Sequence, residues 1–187
     1  MSLSEQKKRD IARQSVEFLR LGRGRKITQS RLKEVLEYDP CTGIFTWKKK
    51  LSKRISIGGV AGSIRKDNYL EIRIDTVINL AHRLAWLYVY GYFPDCIDHV
   101  NLNRSDNRIS NLRESTMSQN ASNCIIRSSN TSGYKGVSWN KKKKKWRAYI
   151  TFNKKRIELG HFSDPLQAHQ EYCSASKNLH KEFGRTE

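Results

Sequence analysis

The densest apolar stretch of the chain, around Leu80 to Phe93, is interrupted by His82, Arg83 and Gly91. No apolar run reaches the roughly 18 residues that a membrane-spanning helix needs. A chain patterned this way must build modest cores from short elements. Its 187 residues correspond to one large domain or two small ones, and 4 Trp, 8 Tyr and 6 Phe supply the bulk for them. The charged N-terminus has no hydrophobic signal core, so a cytoplasmic protein without a membrane partner is expected.

Charge then narrows the class of partner. The formal net charge is +18, divided as +5 over residues 1–26, +4 over 27–123 and +9 over 124–187. An excess of this size points to nucleic acid or an anionic membrane surface. Solubility alone does not explain 36 basic against 18 acidic residues, so nucleic acid is the expected partner. Cys41, Cys96, Cys124 and Cys173 form no paired knuckle, which argues against structural zinc. Four reduced thiols are expected.

Residues 4–21 read as a charged helix capped by Ser4, followed by a Gly-Arg linker over 22–26. Thr28 caps a second predicted helix running to about Glu37. Asp39-Pro40 and Thr42-Gly43 then turn the chain into a strand, Ile44 to Trp47. Alternation over Tyr69 to Asp75 predicts a strand, and helical spacing predicts a helix from Asn79 to Tyr90, ended by Gly91 and Pro94. After a polar segment and a linker over 124–132, three strands are predicted near 136–140, 145–152 and 155–162. A helix from Pro165 to His180 follows, capped by Asp164. Its expected apolar stripe is Ala168, Tyr172, Ala175 and Leu179.

Residues 95–123 are too polar for an ordinary core element, and the chemistry is expected there. Asp98-His99 ends a short strand. Asn111 follows twelve residues after His99, and Asn120 nine further on, on a short helix over about 115–123. Asp98 and Asn120 supply hard oxygens of the kind that hold Mg²⁺ or Mn²⁺. His99 lies between them as a base whose unperturbed pKa is near neutrality. Together they suit metal-assisted phosphodiester hydrolysis. Asn103, Asp106 and Asn107 need only the turn-forming role common to Asn and Asp.

The string His82-Arg83-Leu84-Ala85-Trp86, Asp98-His99, Asp106-Asn107-Arg108, Asn111-Leu112-Arg113 and Asn120 resembles the phage-type homing branch of the HNH endonucleases. So does Tyr38-Asp39-Pro40 with Thr42-Gly43-Ile44-Phe45-Thr46-Trp47. The resemblance covers about residues 27–123. It implies an α+β chain with a ββα-metal (His-Me finger) nuclease domain, with His99 as general base and Asp98 and Asn120 as metal ligands. Asn111 would brace the loop that orients His99. The implied cofactor is a divalent metal, Mg²⁺ first and Mn²⁺ as the alternative. Leu102 departs from the pattern, since many relatives carry Gly there. His82 is expected to pack within its helix or to meet a phosphate.

Residues 133–187 resemble the Apetala/ERF-type DNA-binding domain of plants, which also occurs fused to phage HNH endonucleases. A three-stranded antiparallel sheet with one packed helix is implied. Lys135, Ser138, Asn140, Tyr149, Thr151 and Arg156 match positions that face DNA. Arg147 and the run Lys141, Lys142, Lys143, Lys144 and Lys145 join them on electrostatic grounds. Glu158 replaces an aromatic of the plant domains, so their base preferences do not transfer. Trp139 and Trp146 are expected to pack.

The whole reads as a double-stranded DNA endonuclease. One active site per chain predicts nicking by a monomer on DNA, in the bacterial or phage-infected cytoplasm. Two rivals stand beside it: a non-catalytic DNA-binding regulator on a nuclease scaffold, and an RNA-binding protein.

Overall fold

The computed structural model describes residues 27–126 and 128–186. The helix expected over 4–21 and the linker over 22–26 lie outside the described residues. The described chain mixes helices with small antiparallel sheets. It forms two compact units, one of residues 27–94 and 99–113, the other of 95–98 and 114–186.

In the first unit Thr28 caps helix α1 (Gln29–Val35), its hydroxyl accepting from Arg31 N. The helix stops at Val35 rather than at the expected Glu37. Leu36–Asp39 instead forms strand β1, paired antiparallel with β2 (Ile44–Trp47). Leu36 and Tyr38 turn inward while Glu37 and Asp39 turn outward, and the Tyr38 ring meets Phe45 at 4.7 Å. Cross-strand packing outweighs the helical spacing at that junction.

Strands β3 (Ser63–Ile64), β4 (Leu70–Ile74) and β5 (Val77–Leu80) form a sheet in that order. Strand β5 takes the first residues of the helix expected from Asn79, so helix α2 runs Ala81–Tyr90. The cause is the turn before it. Asp75 and Thr76 both adopt positive φ, 46° and 70°, between the paired residues Ile74 and Val77. That is the twist a two-residue hairpin requires, and it normally announces itself as Asn-Gly or Asp-Gly. Helix α2 ends at Gly91 as expected, with φ 82°. Leu32, Val35, Phe45, Ile72 and Leu84 form the buried interior of this unit.

Strand β6 (Cys96–His99) pairs with β7 (Leu112–Ser115), which a single 3₁₀ turn (Ile109–Asn111) precedes. The division between the units falls within this ribbon, so Asp98 belongs to the second unit and His99 to the first.

The second unit continues with helix α3 (Met117–Ser122). Strands β8 (Val137–Asn140), β9 (Lys145–Phe152) and β10 (Lys155–Phe162) follow, with β9 central. Helix α4 (Pro165–His180) is capped by the Asp164 carboxylate, which accepts from Leu166 N and Gln167 N. Ala168 and Tyr172 are buried as expected, but the stripe then continues through Ser176 and His180, leaving Ala175 and Leu179 half-buried. A strict four-residue step drifts around the helix, and the sheet selects that line. Val137, Ala148 and Ala168 form the centre, with Trp146 and Phe162 packed against it. Gly136, at φ 75°, lies so close to the Tyr172 ring that a Cβ would overlap it.

Candidate active site

His99 closes β6, and the chain beyond it leaves in a polar loop and returns. Val100 N donates to Asn111 O at 2.9 Å, closing the loop at its base. The Asn111 side chain spans the same gap. Its Oδ1 accepts from Asn101 N at 3.0 Å, and its Nδ2 donates to Asp106 O at 2.9 Å. One buried amide thus ties both arms of the loop that carries His99. Within the loop the remaining Asn and Asp side chains form local turns. Asn103 Oδ1 accepts from Ser105 N at 3.1 Å, and Asn101 Oδ1 accepts from Asn103 N at 2.9 Å. The Arg108 guanidinium holds the Asp106 carboxyl down to about 2 through hydrogen bonds of 2.8 and 2.6 Å. Leu102 adopts φ 64°, the left-handed conformation that glycine takes most readily. Leucine therefore carries left-handed strain at the position where the sequence departs from the family pattern.

The β1–β2 hairpin buttresses this loop. Tyr38 Oη donates to Asn107 O at 2.7 Å, in a buried bond. Ile109 N donates to Pro40 O at 3.3 Å. Gly43, at φ 75°, lets the hairpin turn approach the backbone of Asn107 and Arg108. The Tyr-Asp-Pro and Thr-Gly residues therefore do a definite job: they fix the loop that follows His99 from outside.

A ring cluster surrounds His99. His82, from the first turn of α2, meets it edge-on at 5.0 Å between centroids. Tyr69 lies 5.2 Å from His82 and 5.9 Å from His99. Arg104 stands over the Tyr69 ring at 5.0 Å while its Nη1 donates to Asp67 O at 3.2 Å. Sequence reasoning passed over Tyr69 and Arg104, because a lone Tyr and a lone Arg at those spacings carry no signal. Of the two roles left open for His82, the structure gives packing: the ring is buried, and among the described residues its Nδ1 has no hydrogen-bond partner.

Burial, with the His99 and Arg83 charges behind it, pushes His82 down to about 3. Its folded pKa thus lies below the ordinary value of 6.5. The unfolded chain binds the extra proton between those values. Stability is then fully present above pH 6.5 and is lost as pH falls toward 3. The slope from this residue reaches at most about 1.4 kcal/mol per pH unit. His82→Phe is expected to flatten the acid limb of a stability–pH curve measured by urea denaturation. An unchanged limb would refute the assignment.

In the second unit Asp98 and α3 face each other. The Asp98 carboxylate, 2% exposed, accepts from Asn123 Nδ2 at 3.0 Å on each oxygen. Asn120, three residues earlier, donates from Nδ2 to Cys96 Sγ at 3.4 Å. Cys96 and Asp98 are two apart on β6 and share a face, so Asn120 and Asn123 address the same side of the strand. Asn123 is a hydrogen-bonded partner of Asp98 that sequence spacing passed over. Among the described residues no three His, Cys, Asp or Glu side chains stand together as a metal cage. The donors at Asp98 and Asn120 are carboxylate and amide oxygens. That set fits a small hard cation which keeps several waters and takes phosphate oxygens.

Helix α3 is short but closed at both ends. A reciprocal capping box joins Thr116 and Gln119 at 3.2 and 2.7 Å. At the other end Lys135 Nζ donates to the carbonyls of Ser122 and Cys124 at 2.8 and 2.6 Å. Burial holds that ammonium below the ordinary lysine range. Lys135, expected to face DNA, has its ammonium engaged with carbonyls of the protein itself.

On the sheet, Ala148 and Ile150 point to α4, while Arg147, Tyr149 and Thr151 alternate with them. Ser138 lies opposite Arg147, and Arg156 opposite Thr151. Arg147 and Arg156 stand over the Tyr149 ring at 5.1 and 4.6 Å. Two like charges on one ring form a local positive patch that favours an anion. Glu158 lies opposite Tyr149 and within 3.2 Å of His161. Lysines 141–145 are exposed at the β8–β9 turn. Asn140 shapes that turn, accepting from Lys142 N and Lys143 N at 3.1 and 3.2 Å. Trp146 packs on the core and Trp139 abuts it at 5.0 Å.

Residues 79–122 match the HNH endonuclease family and residues 132–182 match the AP2 domain family. Protein 3.8 of Escherichia phage T7 is 33% identical over 106 residues, covering 56% of this chain and 87% of that protein. No solved structure matches. The chain carries an HNH endonuclease domain followed by an AP2 domain, and it belongs to the same family as Protein 3.8 of phage T7. Both families indicate a protein of DNA.

Proposed function

We propose that the chain is a metal-dependent endonuclease that hydrolyses phosphodiester bonds in duplex DNA, nicking one strand per active site as a monomer. The AP2 sheet directs it, and it works in the cytoplasm of a bacterial or phage-infected cell. The observation that carries this reading is the tether on His99: an imidazole at a strand end, on the residue that follows Asp98 in the chain, at the start of a loop whose two arms Asn111 ties together.

His99 takes the proton of the attacking water as the new P–O bond forms and the ester P–O bond breaks. Positioned base catalysis of this kind contributes about 10²–10⁴-fold. Asp98 and Asn120 would hold a divalent cation, Mg²⁺ or Mn²⁺, and Asn123 fixes the Asp98 carboxylate through both oxygens. When bound, such a cation stabilises charge on the phosphoryl group and the leaving oxygen. Asn111 acts through the loop and touches no reacting atom. Ser138, Arg147, Tyr149, Thr151, Arg156 and the lysines at 141–145 supply the DNA-facing surface, with Asn140 shaping the turn that presents those lysines.

Plasmid nicking tests the reading. Supercoiled DNA is expected to relax to the open circle in Mg²⁺ and to remain supercoiled in EDTA. Binding to duplex DNA with no relaxation in either condition would instead establish the regulator reading.

A further inference from the structure

Helix α3 carries Asn120, and Asn123 caps its C-terminal end, yet it has only six residues. A helix that short has little stability of its own. Part of what holds its C-terminal end comes from the AP2 segment. Lys135, two residues before β8, donates to the carbonyls of Ser122 and Cys124 at 2.8 and 2.6 Å. His180, the last residue of α4, lies with Nδ1 3.2 Å from Ser122 Oγ. The 3₁₀ turn Lys181–Phe183 also packs against α3. On its other side the same helical turn meets Asp98 through Asn123. A cation at the carbonyl end of a helix is favourable because the unpaired carbonyls concentrate negative charge there.

We propose that Lys135 is a positioning residue for DNA cleavage. By locking the last turn of α3 it makes the AP2 segment a structural part of the cation-binding half of the active site. The inference rests on the nuclease reading above and adds a coupling to it: the part that recognises DNA also sets the placement of Asn120 and Asn123.

The test uses the full chain with Lys135→Met, which keeps the stem and removes the donors. Changes just behind metal ligands cost about 10–100-fold in metal affinity or activity. Single-turnover nicking is therefore expected to fall by at least about 10-fold, with a higher Mg²⁺ concentration at half-maximal rate. Duplex affinity and its salt slope are expected to stay unchanged, and amide exchange is expected to speed up in α3 but not in β8–β10. A weaker affinity with a salt slope reduced by about one would mean that Lys135 contacts phosphate, and would overturn the proposal. So would normal nicking, or unchanged exchange in α3. If Lys135→Met does not fold, Lys135→Gln, which keeps one donor, is read on the same measurements. His99→Ala, run in parallel, separates the two levels. If it nicks like the parent, the nuclease reading itself fails. If it is inactive while the Lys135 variant nicks normally, only the coupling fails.

Discussion

His99→Ala is expected to bind duplex DNA like its parent while losing at least about 10²-fold in nicking rate in Mg²⁺. The argument is spatial as well as chemical. His99 is 4% exposed at the end of β6 and sits among Tyr69 and His82 rather than on the charged surface. Removing its ring takes no cation from the patch of Arg147 and Arg156 proposed to face DNA, which belongs to the other unit. Binding and cutting should therefore part. Gel shift and nicking on the same preparation check this, with a melting curve to show that the ring cluster survives the loss of one member. Unimpaired nicking would remove the assigned base.

Gly43→Ala is expected to destabilise the protein by about 2–5 kcal/mol, the sum of left-handed strain and overpacking. Gly43 has φ 75°, and an added Cβ would come within 2.6 Å of the Asn107 carbonyl carbon, with Arg108 N also in the way. Both obstacles are backbone, so no side chain can swing aside. The loop that must yield is the one Tyr38 holds at Asn107 O and Asn111 closes at Asp106 O. The change should therefore also slow nicking at temperatures where the chain remains folded. Urea denaturation decides it. A cost below about 1 kcal/mol would mean that the hairpin and the loop are not rigidly apposed.

Much of this was legible in the residues. Asp164-Pro165 marked the start of α4, and period-two alternation marked β4, because these signals act within one turn or one strand. The misplaced boundaries share one cause. Leu36 and Glu37 read as the end of a helix until β2 is alongside them, and Asn79 and Leu80 read as the start of one until Asp75-Thr76 reverses the chain without a glycine. At the site the spacing selected His99, Asn111, Asp98 and Asn120. It did not select Asn123, because one amide among several on a short helix has no distinguishing pattern. Nor did it reveal that Lys135 donates to the carbonyls of Ser122 and Cys124.

Charge pointed from sequence alone to nucleic acid, and the strings around the Asp-His pair and over the C-terminal segment carried the resemblance to HNH endonucleases and to the AP2 domain, since these are properties of the linear polymer. Which amide grips Asp98, which ring lies on His99, what holds the loop at Asn107 and where the Lys135 ammonium goes were decided only on folding. Each depends on groups that are remote along the chain meeting within hydrogen-bond or van der Waals range, where a shift of an ångström changes the partner.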